Sequence, residues 1–175
     1  MTIISEMLTE DGRRITFRHP EKDDLDALAG MYTTLSDRTM RYLRPYRFTE
    51  NEVRVMLNRV DFKSVFSIVA VDENGEIAGE VRLITHESGS GEIGIVVHDR
   101  YQNRRIGQRL LREIIRIARE RGIKKLISFI NEKNRKAIHI FSKQGFVVEK
   151  KFPPSMNLMG REEGVVKLSL HLSSG

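Results

Sequence analysis

A short polar turn over residues 99–105 joins an apolar strand, residues 92–97, to a long amphipathic helix. The first turn of a helix carries unpaired backbone N–H groups and the positive end of the helix dipole, which together bind anionic phosphates. The turn is also basic, because Arg104 and Arg105 lie in it. These residues predict a binding site for a pyrophosphate group.

The helix after this turn has one apolar and one basic stripe at helical spacing. Gly107 falls on the apolar side, where a missing side chain lets the helix approach a strand or a ligand closely. Taken alone, the segment equally fits an ordinary strand–turn–helix unit with a solvated arginine face. The apolar stripe is Leu110, Leu111, Ile114, Ile115 and Ala118, and the basic stripe is Arg105, Arg109, Arg112, Arg116 and Arg119.

A second block, residues 131–146, follows another apolar strand at residues 125–130. Together the two blocks resemble the GNAT superfamily of acetyl-CoA-dependent N-acetyltransferases. Residues 102–107 match the family's phosphate-binding signature Q/R-x-x-G-x-G/A, except that Arg105 replaces a glycine. The family's downstream pattern N-x-x-A-x-x-x-Y-x-x-x-G-F is matched by Asn134, Ala137, Gly145 and Phe146, with Phe141 in place of the tyrosine.

The resemblance implies an α/β fold, the GNAT fold, with a mixed, mostly antiparallel sheet of six to seven strands and helices on both faces. Its fourth and fifth strands, here residues 92–97 and 125–130, run parallel and splay apart. At 175 residues the chain is expected to form one domain over residues 1–175. Local patterns predict strands at 14–19, 64–71, 76–84, 147–151 and 165–172, a hairpin turn at 72–75, helices at 22–35 and 49–60, and a proline-containing loop after residue 151.

The resemblance also implies that acetyl-CoA is the cosubstrate and lies in the splay between the two parallel strands. Backbone groups of Ile95, Val96 and Val97 would then pair with the pantetheine arm, and Asn134 and Phe141 would flank that arm. Arg105 keeps a backbone N–H for the diphosphate if it adopts helical dihedrals, and its guanidinium adds a charged contact. The residues implied to hold the diphosphate are Gln102, Asn103, Arg104, Arg105, Ile106, Gly107 and Gln108.

The acceptor implied by the resemblance is an amine, which must lose a proton before it attacks. A free lysine has a pKa of about 10.4, so only about one molecule in 2,500 is unprotonated at neutral pH. Glu92 is the first candidate for the general base, directly or through a water, and Glu80 is the second. The alternative for Glu92 is a solvated residue at a strand start. Because Phe141 has no hydroxyl, water or Ser142 is predicted to protonate the leaving thiolate.

Residues 35–48 resemble the corresponding region of Pat-type protein lysine acetyltransferases, which implies a protein or peptide lysine as the acceptor. A polyamine, an aminoglycoside or a protein N-terminus remains the alternative. The substitutions at Arg105 and Phe141 also leave open a CoA-binding regulator without turnover.

Composition bears on metal sites, on nucleic-acid binding and on location. The chain has no cysteine, and its five histidines lack metal-ligand spacing, so no metal is predicted. A net charge of +6 is compatible with nucleic-acid binding. Aromatic side chains do not alternate with the basic ones, and a polyanionic cosubstrate explains part of the charge, so nucleic acid is disfavoured. No signal segment or membrane-length apolar run is found, and a cytoplasmic location is expected.

Overall fold

The computed structural model describes residues 3–43, 65–156 and 162–172. Within these ranges eight strands form one mixed sheet in the order β1-β2-β3-β4-β5-β6-β8-β7. The strands are β1 (Ile3–Leu8), β2 (Arg14–Arg18), β3 (Val65–Asp72), β4 (Ile77–Thr85), β5 (Ser90–Val97), β6 (Lys125–Asn131), β7 (Val147–Met156) and β8 (Glu162–His171). The helices are α1 (Leu25–Thr33), α2 (Asp37–Met40), α3 (Ile106–Glu120) and α4 (Arg135–Lys143).

The sheet confirms the predicted α/β fold with one parallel pair. All neighbouring strands pair antiparallel except β5 and β6. The sheet has eight strands rather than six or seven because β1 adds an unpredicted strand at the amino-terminal edge. The parallel strands are therefore the fifth and sixth along this chain.

Helices cover both faces of the sheet, because successive side chains of a strand point to opposite faces. On β5, Ile93 packs in the same apolar cluster as α3, whereas Val96 packs in the cluster that contains Leu28 of α1. We call these two surfaces the α3 face and the α1 face. The predicted apolar stripe of α3 is buried on the first of them, and Gly122, with φ of +73°, follows the helix end.

The splay between β5 and β6 begins at Glu92. The two strands pair over only three positions, Ser90 with Lys125, Gly91 with Leu126 and Glu92 with Ile127. Both strands continue beyond that point, to Val97 and Asn131, without pairing with each other. The predicted splay is thus confirmed, and it leaves one edge of β5 open over residues 93–97.

Two local predictions differ from the structure. The helix predicted at 22–35 is shorter, because residues 22–24 form a 3-10 turn ahead of α1. The prediction of a proline-containing loop after residue 151 is wrong, since β7 continues through Pro153 and Pro154 to Met156. Proline is tolerated there because β7 is an edge strand with a register shift between Phe152 and Ser155. The helix predicted at 49–60 lies outside the described residues.

Within the ranges that the structure describes, none of the helices has the length and apolarity needed to cross a membrane.

Candidate active site

The turn after β5 uses two left-handed residues. Asn103 has φ of +64° and Arg105 has φ of +62° with ψ of +6°. The condition of helical dihedrals at Arg105 is therefore not met. Arg105 adopts a backbone conformation that favours glycine, the residue that the family pattern places there. It precedes Ile106, so the first N–H groups of α3 belong to Ile106, Gly107 and Gln108.

The arginine side chains of this turn reach the β1–β2 hairpin. Arg104 Nε lies 2.8 Å from Asp11 Oδ2, and Arg105 Nη2 lies 3.1 Å from Glu10 Oε1. The Arg105–Glu10 pair is largely exposed, so an incoming anion can compete with it at little cost. The turn thus gathers the predicted cations, but both are held by carboxylates in this structure.

Gln102 ties the turn to two other elements. Its Nε2 donates to the carbonyl of Val97 at 3.1 Å and to Thr39 Oγ1, in α2, at 3.0 Å. A Cβ at Gly107 would lie 3.4 Å from Val97 Cγ2, so the start of α3 packs closely on the end of β5, as predicted. The signature residues therefore build the turn itself.

The predicted pantetheine contacts on β5 do not all direct their backbone groups to the same side of the strand. His98 N donates to Ala78 O on β4, so Val96, two residues earlier, also directs its backbone groups toward β4. The carbonyl of Ile93 accepts from Ser128 of β6 at 2.9 Å, which places Ile93, Ile95 and Val97 on the open side. The backbone groups of Ile95 and Val97 therefore face the open side, whereas those of Val96 face β4.

The second sequence block lies on the other side of the splay. Asn134 caps α4, since its Oδ1 accepts from Ala137 N at 3.1 Å. Phe141 is buried and packs edge-to-face on Phe146 at 5.0 Å between ring centroids. Lys136 donates to the side chain of Asn103. The first turn of α4 therefore touches residues 99–105, which we call the phosphate turn after the prediction made for them. Sequence reasoning missed Lys136, although a basic residue in the first turn of this block was a usable signal.

Glu92 lies where β5 and β6 separate. It is the last residue of β5 paired with β6, opposite Ile127, and its register partner on β4 is Ile84. Its side chain is about one-third exposed, and Oε2 lies 3.8 Å from His86 Nε2. The carboxylate is therefore half-buried at the apex of the splay and remains accessible to an acceptor.

Glu80 is buried in a polar cluster on the α1 face. Its Oε1 accepts from Ser67 Oγ at 2.9 Å and from Arg82 Nε at 2.8 Å. Its Oε2 accepts from the Tyr32 hydroxyl at 2.7 Å and from Arg82 Nη2 at 2.9 Å. Burial, and next the charge of Glu80, raise the pKa of the Tyr32 hydroxyl well above its usual range, so it stays a donor. Glu80 can accept a further proton only by losing one of these bonds.

A cavity of about 310 Å³ lies at the start of β5 and β6. Ser90, Lys125, Ile127 and Lys167 are among its lining residues. Ser90 and Ile127 share the α1 face with Glu92, because the first is two residues away on β5 and the second is its partner on β6. The cavity therefore lies beside the candidate base.

His98 has a structural role in this arrangement. Its Nδ1 accepts from Arg100 N at 3.2 Å, and its Nε2 lies 3.1 Å from Thr34 Oγ1, which joins the end of β5 to α1. Asp99 accepts hydrogen bonds from Ser36 and Thr39 and so holds α2 against the phosphate turn. Among the described residues, no cluster of three or more histidine or carboxylate side chains is suited to a metal.

The chain is similar to known acetyltransferases in sequence and in structure. Residues 29–146 match the Acetyltransferase (GNAT) family. YwnH of Bacillus subtilis (strain 168), a candidate phosphinothricin acetyltransferase, is 26% identical over 165 residues, which cover 91% of this chain and 100% of YwnH.

Two solved structures show the same architecture. The GNAT domain of S. lividans PAT has a TM-score of 0.77 at 26% identity, and the match covers 96% of each chain. The spermidine N-acetyltransferase from Vibrio cholerae, solved in complex with CoA and spermine, has a TM-score of 0.76 at 21% identity over 90% of this chain and 95% of its own.

The family match covers more than half of the chain and includes β3 to β6, α3 and α4. It agrees with the splayed parallel pair and with the turn that opens α3. The chain therefore belongs to the GNAT family of acetyltransferases and is an N-acetyltransferase.

Proposed function

We propose that the protein transfers the acetyl group of acetyl-CoA to a small primary amine, directly and with both substrates bound. The observation that carries this proposal is the position of the half-buried Glu92 at the apex of the splay. The names of YwnH and of the V. cholerae enzyme support a small acceptor rather than the protein lysine that the sequence resemblance implies.

The open edge of β5 fits the extended pantetheine arm of acetyl-CoA. An extended ligand can pair with an unpaired strand edge through backbone hydrogen bonds. The carbonyls of Ile93 and Val97 already accept from Ser128 and Gln102. We therefore assign the arm chiefly to Ile95, whose N–H and C=O both point into the splay, and to the N–H of Val97.

The turn at the start of α3 fits the diphosphate. The N–H groups of Ile106, Gly107 and Gln108 have no partner within the helix, as in any first helical turn. Arg105 and Lys136 stand on the two sides of the splay mouth and add positive charge. Asn103 and Arg104 complete this set, and Gln102 holds the turn in shape.

Bound acetyl-CoA supplies an activated acetyl thioester, and the chain supplies proton transfer and positioning. We assign the general base to Glu92, which accepts a proton from the acceptor ammonium directly or through one water. Glu80 is assigned a positioning role, since four donors hold its carboxylate. Phe141 carries no transferable proton, and the exposed Ser142 is turned about 100° around α4 from it. Water is therefore the proton donor to the leaving thiolate.

The test is a panel of amines incubated with acetyl-CoA while thiol release is followed. Glu92→Gln should lower kcat by about 10²–10⁴-fold and leave the Kd of CoA unchanged. Glu87→Gln is the matched control, because Glu87 is exposed in the turn before β5. Unchanged turnover in Glu92→Gln removes Glu92 from the mechanism. If acetyl-CoA binds but no small amine stimulates release, the proposed transfer to a small primary amine is wrong.

Protein lysine is the second candidate acceptor, favoured by the resemblance of residues 35–48 to Pat-type enzymes. Residues 44–48 of that segment lie outside the described residues. The panel should therefore contain a lysine peptide beside spermidine and free amino acids. Release stimulated by the peptide alone would return the assignment to protein lysine.

A further inference from the structure

Gly94 is exposed on the α1 face although it lies in β5, with β4 on one side and the splay on the other. A Cβ added there would meet no atom of the described residues within 4 Å. An exposed position on an inner strand indicates a cleft, and this cleft lies two residues from Glu92, or about 7 Å along the strand.

Arg82 lies next to Gly94 in the sheet. It is the register partner of Gly94 on β4, so their side-chain positions share the α1 face. Its Nε and Nη2 donate to Glu80 at 2.8 and 2.9 Å, which fixes the guanidinium plane. Within the described part of the chain, Nη1 has no hydrogen-bond acceptor. The side chain is 16% exposed, so a ligand can reach it while most of it is shielded from water.

We propose that Arg82 is a specificity-determining residue that binds a carboxylate of the acceptor. This proposal rests on the acetyltransferase function proposed above and names its substrate class. The acceptor would be a small molecule that carries both an amine and a carboxylate, as an amino acid does. Its amine would lie over Gly94 toward Glu92, and its carboxylate would accept from Arg82 Nη1.

The cluster around Arg82 supports this role. Tyr32 and Ser67 also donate to Glu80, so the counter-charge of Arg82 is spread over four hydrogen bonds and stays in place. The Tyr32 ring lies 5.8 Å from the guanidinium carbon and restricts its movement further. A fixed, shielded guanidinium whose Nη1 has no acceptor among the described residues is well suited to a carboxylate, whereas a polyamine would bring like charge against it.

Two lysines of the neighbouring cavity are the rival anion site. Lys125 and Lys167 lie 2.8 and 2.9 Å from Glu149, which already neutralises part of their charge. No carboxylate of the described residues is hydrogen-bonded to Arg82 Nη1. The structure therefore favours Arg82, and Lys167→Met, which leaves the Lys125–Glu149 pair, distinguishes the two sites.

The experiment compares L-amino acids with their amides as acceptors. The wild-type kcat/KM should be higher for the acid, and Arg82→Lys should lower the acid-to-amide ratio by about tenfold or more, mainly through the KM of the acid. Lysine is chosen because it keeps a charge beside the buried Glu80, so the fold is retained. Gly94→Ala should also raise the KM of the acid, because its methyl group enters the cleft. Lys167→Met should keep the ratio.

Equal kcat/KM values of the wild type for acids and amides would overturn the inference. An acid-to-amide ratio that Arg82→Lys leaves unchanged would also overturn it, and so would a ratio that Lys167→Met reduces to one. Calorimetric titration of the amino acid into the protein with CoA gives a readout without turnover. Arg82-dependent binding in the absence of any turnover would support the anion site and contradict the proposed function. Turnover of spermidine without turnover or binding of amino acids would support the proposed function and contradict the anion site.

Discussion

Replacing Arg105 by glycine should stabilise the protein. With φ of +62° and ψ of +6°, Arg105 lies in the left-handed region, where a residue with a Cβ loses roughly 1–2 kcal/mol. Glycine removes that strain but has more conformational freedom in the unfolded chain, which offsets about 0.4–1 kcal/mol. The expected net gain is about 1 kcal/mol, or about 2–4 °C in Tm for a domain of this size.

Arg105→Ala is the matched control, because alanine keeps the Cβ and removes only the guanidinium. The lost ion pair with Glu10 joins side chains that are 71% and 81% exposed, so its removal should hardly change stability. The alanine variant should therefore unfold close to the wild-type Tm, and the glycine variant above both. Asn103→Gly, at φ of +64°, should give a smaller gain because asparagine tolerates this conformation.

Thermal unfolding and CoA calorimetry on the same three proteins test the two parts of this reasoning. Alanine and glycine should weaken CoA binding equally if the guanidinium contacts a phosphate, since both keep the backbone N–H. A glycine variant no more stable than the alanine variant would refute the assignment of strain at Arg105. Unchanged CoA affinity in both variants would show that only the backbone of residue 105 matters.

Two further predictions concern packing and charge. Gly79→Ala should lower the free energy of unfolding by about 1–3 kcal/mol, since its Cβ would lie 2.7 Å from Val96 O. Gly94→Ala, the control, should leave the free energy of unfolding unchanged. Equal denaturant midpoints for the two variants would contradict this prediction. Hydrogen bonds from Lys125 and then Lys167 lower the pKa of Glu149 to about 2, from 4.5, so its stabilising effect should be present above about pH 4.5 and disappear as the pH falls through about 2. An NMR titration of the Glu149 carboxyl near 4.5 would contradict that assignment.

Most of the sheet was predictable because its strands carry strong local patterns. Strand β3 is apolar except for Ser67 and the terminal Asp72, the 72–75 turn contains the Asn-Gly pair of a hairpin, and α3 has a full apolar stripe. Strand β1 was missed because its residues are only half-buried or exposed, with Ile3 48% exposed, so burial imposes little pattern on them. Strand β7 was cut short at its prolines, which only an edge position tolerates.

The site was predictable in its parts and less so in its geometry. Glu92 and the α3 turn follow from position along the chain, since a strand end and a helix start are local features. Which backbone groups of β5 face the splay depends on its pairing with β4, and a shift of one residue exchanges the two edges. Val96 was therefore assigned to the arm although its carbonyl faces β4.

The placement of the polar cluster depends on an irregularity that no alternation pattern reveals. Ile77 packs on the α1 face, and strict alternation from it would send Glu80 into the apolar α3 face. The pairing of β3 with β4 skips Ala78, a one-residue bulge that returns Glu80 to the α1 face beside Tyr32. From there β4 alternates regularly, so Arg82 reaches the cleft over Gly94. Without this bulge, Arg82 and Glu92 would lie on opposite faces, and no single acceptor could contact both.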